Sequence, residues 1–157
     1  MMRSGSMLRS LLPAVAAVAV LAGGLFLFIA RAESLPDGPQ TIVWDKTPCA
    51  HCRMAVSEPS FAAQLQLTDG RVLGFDDPGC LFRYLAANDA PIHAVYFHHV
   101  REERWLTRER VGFVPAGPSP MASNLGAVER ARDGGLTFAE VRDGAAAPAK
   151  ADHRVGN

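Results

Sequence analysis

The sequence predicts an α+β domain, two small β-β-α-β units in a row, behind an apolar N-terminal segment. Three observations predict it. Residues 11–30 form a run of 20 without a charge, residues 61–100 show strand, hairpin, strand, helix and strand signals, and a fainter succession follows from 104 to 141. A chain of 157 residues accommodates one such domain but not two full-sized ones. The boundaries read as 1–32 for the N-terminus and apolar segment, 33–40 for a linker, 41–143 for the domain and 144–157 for a disordered tail.

The N-terminal segment comes first. Arg3 and Arg9 precede the apolar run, and no acidic residue does. About 20 residues at 1.5 Å each match the hydrocarbon core of a bilayer, so the run fits a transmembrane helix. The other reading is a cleaved signal, for which Ala30-Arg31-Ala32 supplies the small-x-small pattern. The apolar stretch exceeds the roughly 7–15 residues of a usual signal core, which favours the anchor. Basic residues stay in the cytoplasm. The expected location is therefore the inner (cytoplasmic) membrane, single-pass, with the domain in the periplasm, or a soluble periplasmic form if cleavage follows Ala32.

The linker ESLPDGPQ is rich in turn formers. From Ala63 the pattern alternates: Ala63, Leu65 and Leu67 on one face, Gln64 and Gln66 on the other, a half-buried strand. Asp69-Gly70 signals a hairpin, and Arg71 to Phe75 returns as its partner. Asp76-Asp77-Pro78 reads as a helix start, because an acid accepts bonds from free backbone N–H groups and proline is tolerated in the first turn. The helix should run to about Ala87 and bury Leu81, Phe82 and Leu85. Ala94 to Val100 reads as a third strand.

In the second half, Arg104–Thr107 and Val111–Pro115 read as short strands. A Pro/Gly/Ser loop covers 116–123, a short helix is expected around Ala127–Arg132, and a last strand over Leu136–Val141.

Sixteen basic residues balance 16 acidic ones, which excludes the basic excess that nucleic-acid binding needs. No nucleophile–base–orienter set, Gly-rich phosphate loop or paired-acid site is present, so an ordinary hydrolase or transferase is not expected. The chemistry concentrates in Thr47-Pro-Cys-Ala-His-Cys-Arg-Met54. Cys49, His51, Cys52 and Met54 lie within six positions, and thiolate and thioether sulfurs are soft donors that select Cu(I). In an extended segment Cys52 and Met54 would point the same way. A third donor would complete the site: Met121 in its Pro-rich loop, or one of His51, His98 and His99.

Plainer readings compete. Cys-x-x-Cys also marks redox motifs, zinc sites and disulfides. A c-type haem site is excluded, since Arg53 follows the second cysteine, and no further spacing supports tetrahedral zinc. Cys80, beside Leu81 and Phe82, reads as a small buried hydrophobe. Asp76 and Asp77 are explained by helix capping. His98 and His99 should face opposite sides of their strand.

Together these residues resemble the NosL family, accessory copper-binding proteins associated with nitrous oxide reductase. The similarity runs from about Trp44 to Val141 through Cys49-Ala-His-Cys52-Arg-Met54, Ala62-Ala63-Gln64, Asp69-Gly70, Phe75-Asp76-Asp77, Trp105-Leu106 and Pro120-Met121. The resemblance implies two β-β-α-β halves related to the organomercurial lyase fold. It also implies Cu(I) held by Cys52 and Met54, with Met121 from the second half and Cys49 as the less certain cysteine. Two departures stand out. Arg53 occupies a position where the family usually has Gly, and the first cysteine is Cys49, so an apolar helix over 11–30 replaces a lipid anchor.

The expected function is a membrane-tethered extracytoplasmic Cu(I) metallochaperone. It would deliver copper to a maturing copper enzyme or its assembly machinery, nitrous oxide reductase being the implied recipient, and would catalyse no reaction. The alternative is a thiol-disulfide oxidoreductase using Cys49 and Cys52. A third reading is a lyase-like enzyme using Cys52 with Asp76 or Asp77.

Overall fold

A computed structural model describes residues 15–27 and 35–146. The chain divides into two compact units, 1–35 and 36–157. In the first, residues 15–27 form helix α1. Its 13 residues measure about 20 Å at 1.5 Å each. Among the described residues no helix is long and apolar enough to cross a membrane. Residues 11–14 and 28–32, which complete the expected anchor and the Ala30-Arg31-Ala32 pattern, lie outside the described residues.

The second unit is α+β. After a short 3-10 turn at Pro59–Phe61 come β1 (Ala63–Leu67), β2 (Val72–Phe75), α2 (Pro78–Ala87) and β3 (Ile92–His98), the β-β-α-β order expected of the first half. There follow β4 (Trp105–Thr107), β5 (Val111–Pro115), β6 (Leu125–Glu129), α3 (Arg130–Asp133) and α4 (Phe138–Ala146). The strands form an antiparallel sheet of order β2-β1-β3-β4 and a second antiparallel pair, β5-β6.

Local chemistry explains the first half. Gly70 takes φ +84° at the hairpin, where only glycine is free of strain, and Asp69 accepts the Arg71 N–H. Asp77 caps α2, its Oδ1 accepting the Gly79 N–H at 2.7 Å, and Pro78 fills the first helical turn.

Strand β1 departs from the half-buried expectation, since all five of its residues are buried. The segment read as a linker lies over its polar face. Gln64 exchanges two hydrogen bonds with the Gln40 backbone, at 2.7 and 2.9 Å, and Gln66 Nε2 donates to the Gly38 carbonyl at 2.7 Å. The Gln64 amide and the Gln66 Nε2 keep partners this way, since an unpaired buried group costs about 1–3 kcal/mol, whereas Gln66 Oε1 is buried without one.

The second half differs from its expected element order in two places. The helix expected around Ala127–Arg132 is the end of β6 plus the single turn α3. Its Ala/Glu/Arg composition favours helix, but Phe113↔Ala127 pairing with β5 overrides that weak preference. The last strand, Leu136–Val141, is one bridge followed by a helix. Leu136 exchanges two backbone hydrogen bonds with Phe113, at 2.8 and 2.9 Å, and then Thr137 opens α4. The Thr137 hydroxyl accepts the Glu140 N–H, and Glu140 accepts the Thr137 N–H at 2.7 Å, a reciprocal capping box. Helix α4 runs to Ala146, three residues into the stretch read as tail; the remainder lies outside the described residues.

The core joins the halves through aromatic rings. Phe97 on β3 meets Phe82 of α2 and Phe113 of β5 at centroid distances of 5.9 and 4.9 Å, and Phe138 of α4 packs on Phe82 at 5.2 Å. Each such pair adds about 0.5–1.5 kcal/mol beyond area burial.

Candidate metal centre

The Cys49–Met54 segment folds as a tight loop whose ends are pinned. Pro48 and Ala55 form an antiparallel bridge, the Cys49 N–H donates to the Met54 carbonyl at 2.7 Å, and the Arg53 N–H donates to the Cys49 carbonyl at 3.0 Å. Arg53 takes φ +69°. That left-handed conformation suits glycine, the residue the NosL resemblance led one to expect here. The segment is therefore turned rather than extended, so the extended geometry from which a common direction of Cys52 and Met54 was expected is absent. Cys52 is half-buried against the core, whereas the Met54 side chain is among the most exposed apolar groups of the unit, at 58%.

Cys52 meets two other sulfurs. The Sγ atoms of Cys49, Cys52 and Cys80 all lie within 4.8 Å of one another. Among the described residues this is the one group of three or more Cys, His, Asp or Glu donors close enough to share an ion. All three thiols are free. Cys49 and Cys80 are fully buried, so Cys80 is as buried as the sequence reading had it. What that reading missed is its company: the third position of α2 faces the Cys-x-x-Cys loop. The backbone brings the two together, since the Ala50 N–H donates to the Gly74 carbonyl on β2, and β2 leads directly into α2.

The cluster is electrostatically uneven. A hydrogen bond from the Cys80 thiol holds the Cys49 pKa well below the ordinary thiol value. Burial opposes that lowering, and backbone N–H groups of Cys52, Asp76 and His51 reinforce it. Cys80, as the donor in that bond and as a buried group, is pushed up. Burial also raises Cys52. Three clustered sulfurs, the Cys49 thiol biased toward its anion by the Cys80 hydrogen bond, suit a soft cation.

The other expected donors are placed as follows. Met121 is partly buried, and its loop is tied to the first turn of α2: its N–H donates to Asp77 Oδ2 at 3.3 Å and the Ser119 hydroxyl donates to the same oxygen at 2.6 Å. The loop bearing Met121 and the turn bearing Cys80 thus share one carboxylate. His51 is exposed. His98 and His99, expected on opposite faces with one toward solvent, are both buried. His98 packs edge-on against Trp105 at 5.3 Å, and His99 Nδ1 accepts the Arg101 N–H at 3.1 Å. Neither joins the sulfur group. Asp76 and Asp77 are occupied structurally, Asp76 by the Ser57 N–H at 2.9 Å and Asp77 as cap and latch. Both carboxylates thus serve the structural roles that helix capping led one to expect.

Comparison with solved structures places this arrangement on a known fold. The chain has the fold of the copper chaperone NosL from Shewanella denitrificans, with a TM-score of 0.51 over 70% of this chain and 86% of that one. Identity is 18%, so the likeness is one of fold. No protein-family model matches the chain, and no curated protein matches it by sequence.

Proposed function

We propose that this protein is an extracytoplasmic Cu(I) metallochaperone, tethered to the inner membrane through residues 11–30, that delivers copper to a maturing copper enzyme, with nitrous oxide reductase the recipient in view. The observation that carries the reading is the group of three cysteine sulfurs on a fold shared with a copper chaperone. Cys52 is its central donor, half-buried and reachable. Cys49 lies beside it, Met54 stands on the exposed side, and the Met121 loop is latched to α2. Copper is cargo here. It is taken up and passed on by ligand exchange, and no bond of a substrate is broken.

The oxidoreductase alternative asks for an accessible, acidic thiol to attack a partner disulfide. The arrangement is the reverse: the acidified Cys49 is buried, and the reachable Cys52 is pushed up.

The test is a titration of the full-length reduced chain, in mild detergent, with Cu(I) against a coloured Cu(I) chelator. One Cu(I) per chain is expected, and Cys52→Ser should abolish binding. Absence of Cu(I) binding, or binding indifferent to Cys52→Ser, would sink the proposal. Membrane fractionation of the same chain tests the tether.

A further inference from the structure

We infer that the cargo ion rests one layer below the surface, on the sulfurs of Cys49, Cys52 and Cys80, and that Met54 stands outside this resting site as the donor that exchanges with a partner. The inference deepens the copper reading and rests on it.

The sulfurs are graded by exposure. Met54 is 58% exposed, Cys52 is half-buried, and Cys49 and Cys80 are at 0%. An ion held by Cys52 and Met54 stays at the surface, where water and stray ligands compete for it. An ion held by the three cysteines is shielded by the residues that bury Cys49 and Cys80. Spacing permits it. Three thiolates at about 2.3 Å from a metal, the length usual for zinc, stand about 4 Å apart in a trigonal plane. The three sulfurs already lie within 4.8 Å of one another, so closure needs only small shifts.

The two inner donors are held by rigid elements. Cys80 sits in the first turn of α2 between the buried Gly79 and Leu81, and its N–H donates to the Asp77 carbonyl at 2.9 Å. The positive end of the helix dipole favours anionic sulfur there. Cys49 is pinned by the hydrogen bonds of its loop. The Met54 side chain is exposed, as a capturing donor must be.

The exchange balances without redox change. Cu(I) held by the Cys52 thiolate and the Met54 thioether forms bonds to the Cys49 and Cys80 sulfurs. The bond to Met54 breaks, the protons of the Cys49 and Cys80 thiols pass to solvent, and copper remains Cu(I). Delivery runs the steps in reverse.

X-ray absorption on the Cu(I)-loaded full-length chain decides the matter. Three sulfur scatterers are expected in the wild type and in both Met54→Leu and Met121→Leu, and two in Cys80→Ala. Against a competing chelator, Cys80→Ala should lose at least about 100-fold in retention, the upper end of what removal of a merely supporting group costs. Met54→Leu should keep retention while slowing transfer to the chelator by about tenfold or more, more than the loss of one capturing donor among several would leave unnoticed. Loss of a sulfur scatterer in Met54→Leu, or an unchanged sulfur count in folded Cys80→Ala, overturns the inference alone and leaves copper binding in place. A wild-type chain that binds no Cu(I) overturns both. Should Cys80→Ala unfold, the sulfur count in the two methionine variants still decides.

Discussion

Asp77 links the two parts of the candidate site, and its removal is predicted to destabilise the domain well beyond the loss of a helix cap. Asp77→Ala deletes the acceptor of three hydrogen bonds: from the Gly79 N–H at 2.7 Å, the Ser119 hydroxyl at 2.6 Å and the Met121 N–H at 3.3 Å. A lost cap costs about 1 kcal/mol. A hydrogen bond to a charged group contributes about 1.5–3 kcal/mol, and the Ser119 hydroxyl would be left buried without it. The long bond to Met121 adds little. The expected destabilisation is about 3–4 kcal/mol, a large part of the roughly 5–15 kcal/mol that a domain has. Urea unfolding followed by circular dichroism gives the shift directly. Ser119→Ala and the double variant complete a cycle in which the Asp77–Ser119 pair should couple by about 1 kcal/mol or more. Cu(I) retention should fall alongside, because the turn carrying Cys80 and the loop carrying Met121 lose their common anchor. A destabilisation under about 1 kcal/mol, with no coupling to Ser119, would refute the latch.

Two further outcomes follow. Arg53→Gly should raise the unfolding free energy measured in urea by about 0.5–1 kcal/mol, since relief of left-handed strain outweighs the added freedom of the unfolded chain; a loss of stability would show that the Arg53 side chain matters more than its backbone. His99 gives a pH dependence. Burial is the main cause that holds its imidazole below the ordinary 6.5, with Glu102 and Asp133 opposing, and Arg104 and Arg132 assisting. The unfolded chain binds that proton more readily, so this contribution is full above about pH 6.5 and is lost as pH falls through the folded value. His99→Gln should flatten the acid limb of melting temperature against pH; an acid limb of unchanged slope would assign the effect to another group.

Much of the first half was legible in the sequence because its signals are local. The Asp69-Gly70 hairpin, the Asp77-Pro78 helix start and the alternation of β1 each need only a few neighbouring residues. Helix α4 was equally legible and was missed: Thr137-x-x-Glu140 is a capping box, hidden by reading Leu136–Val141 as an apolar strand. The switch from helix to strand at Ala127 was not legible, since helix-forming residues were recruited by Phe113 on a neighbouring strand.

For the site, the sequence by itself determined the chemistry, and the tertiary structure decided the membership. Soft donors at Cys49, Cys52 and Met54 are a property of composition and spacing, and so is the proline-rich setting of Met121. That Cys80 completes a three-sulfur group, while His98 and His99 are turned to other partners, depends on how β2 delivers α2 against the cysteine loop. Burial likewise came only from packing. Gln64 and Gln66 are covered by the segment that looked like a linker, and Met54 stays exposed beside the left-handed turn at Arg53. Residue type sets what a side chain can bind, but which groups stand close enough to share one ion is set by contacts between segments distant in the chain, and no local pattern records those contacts.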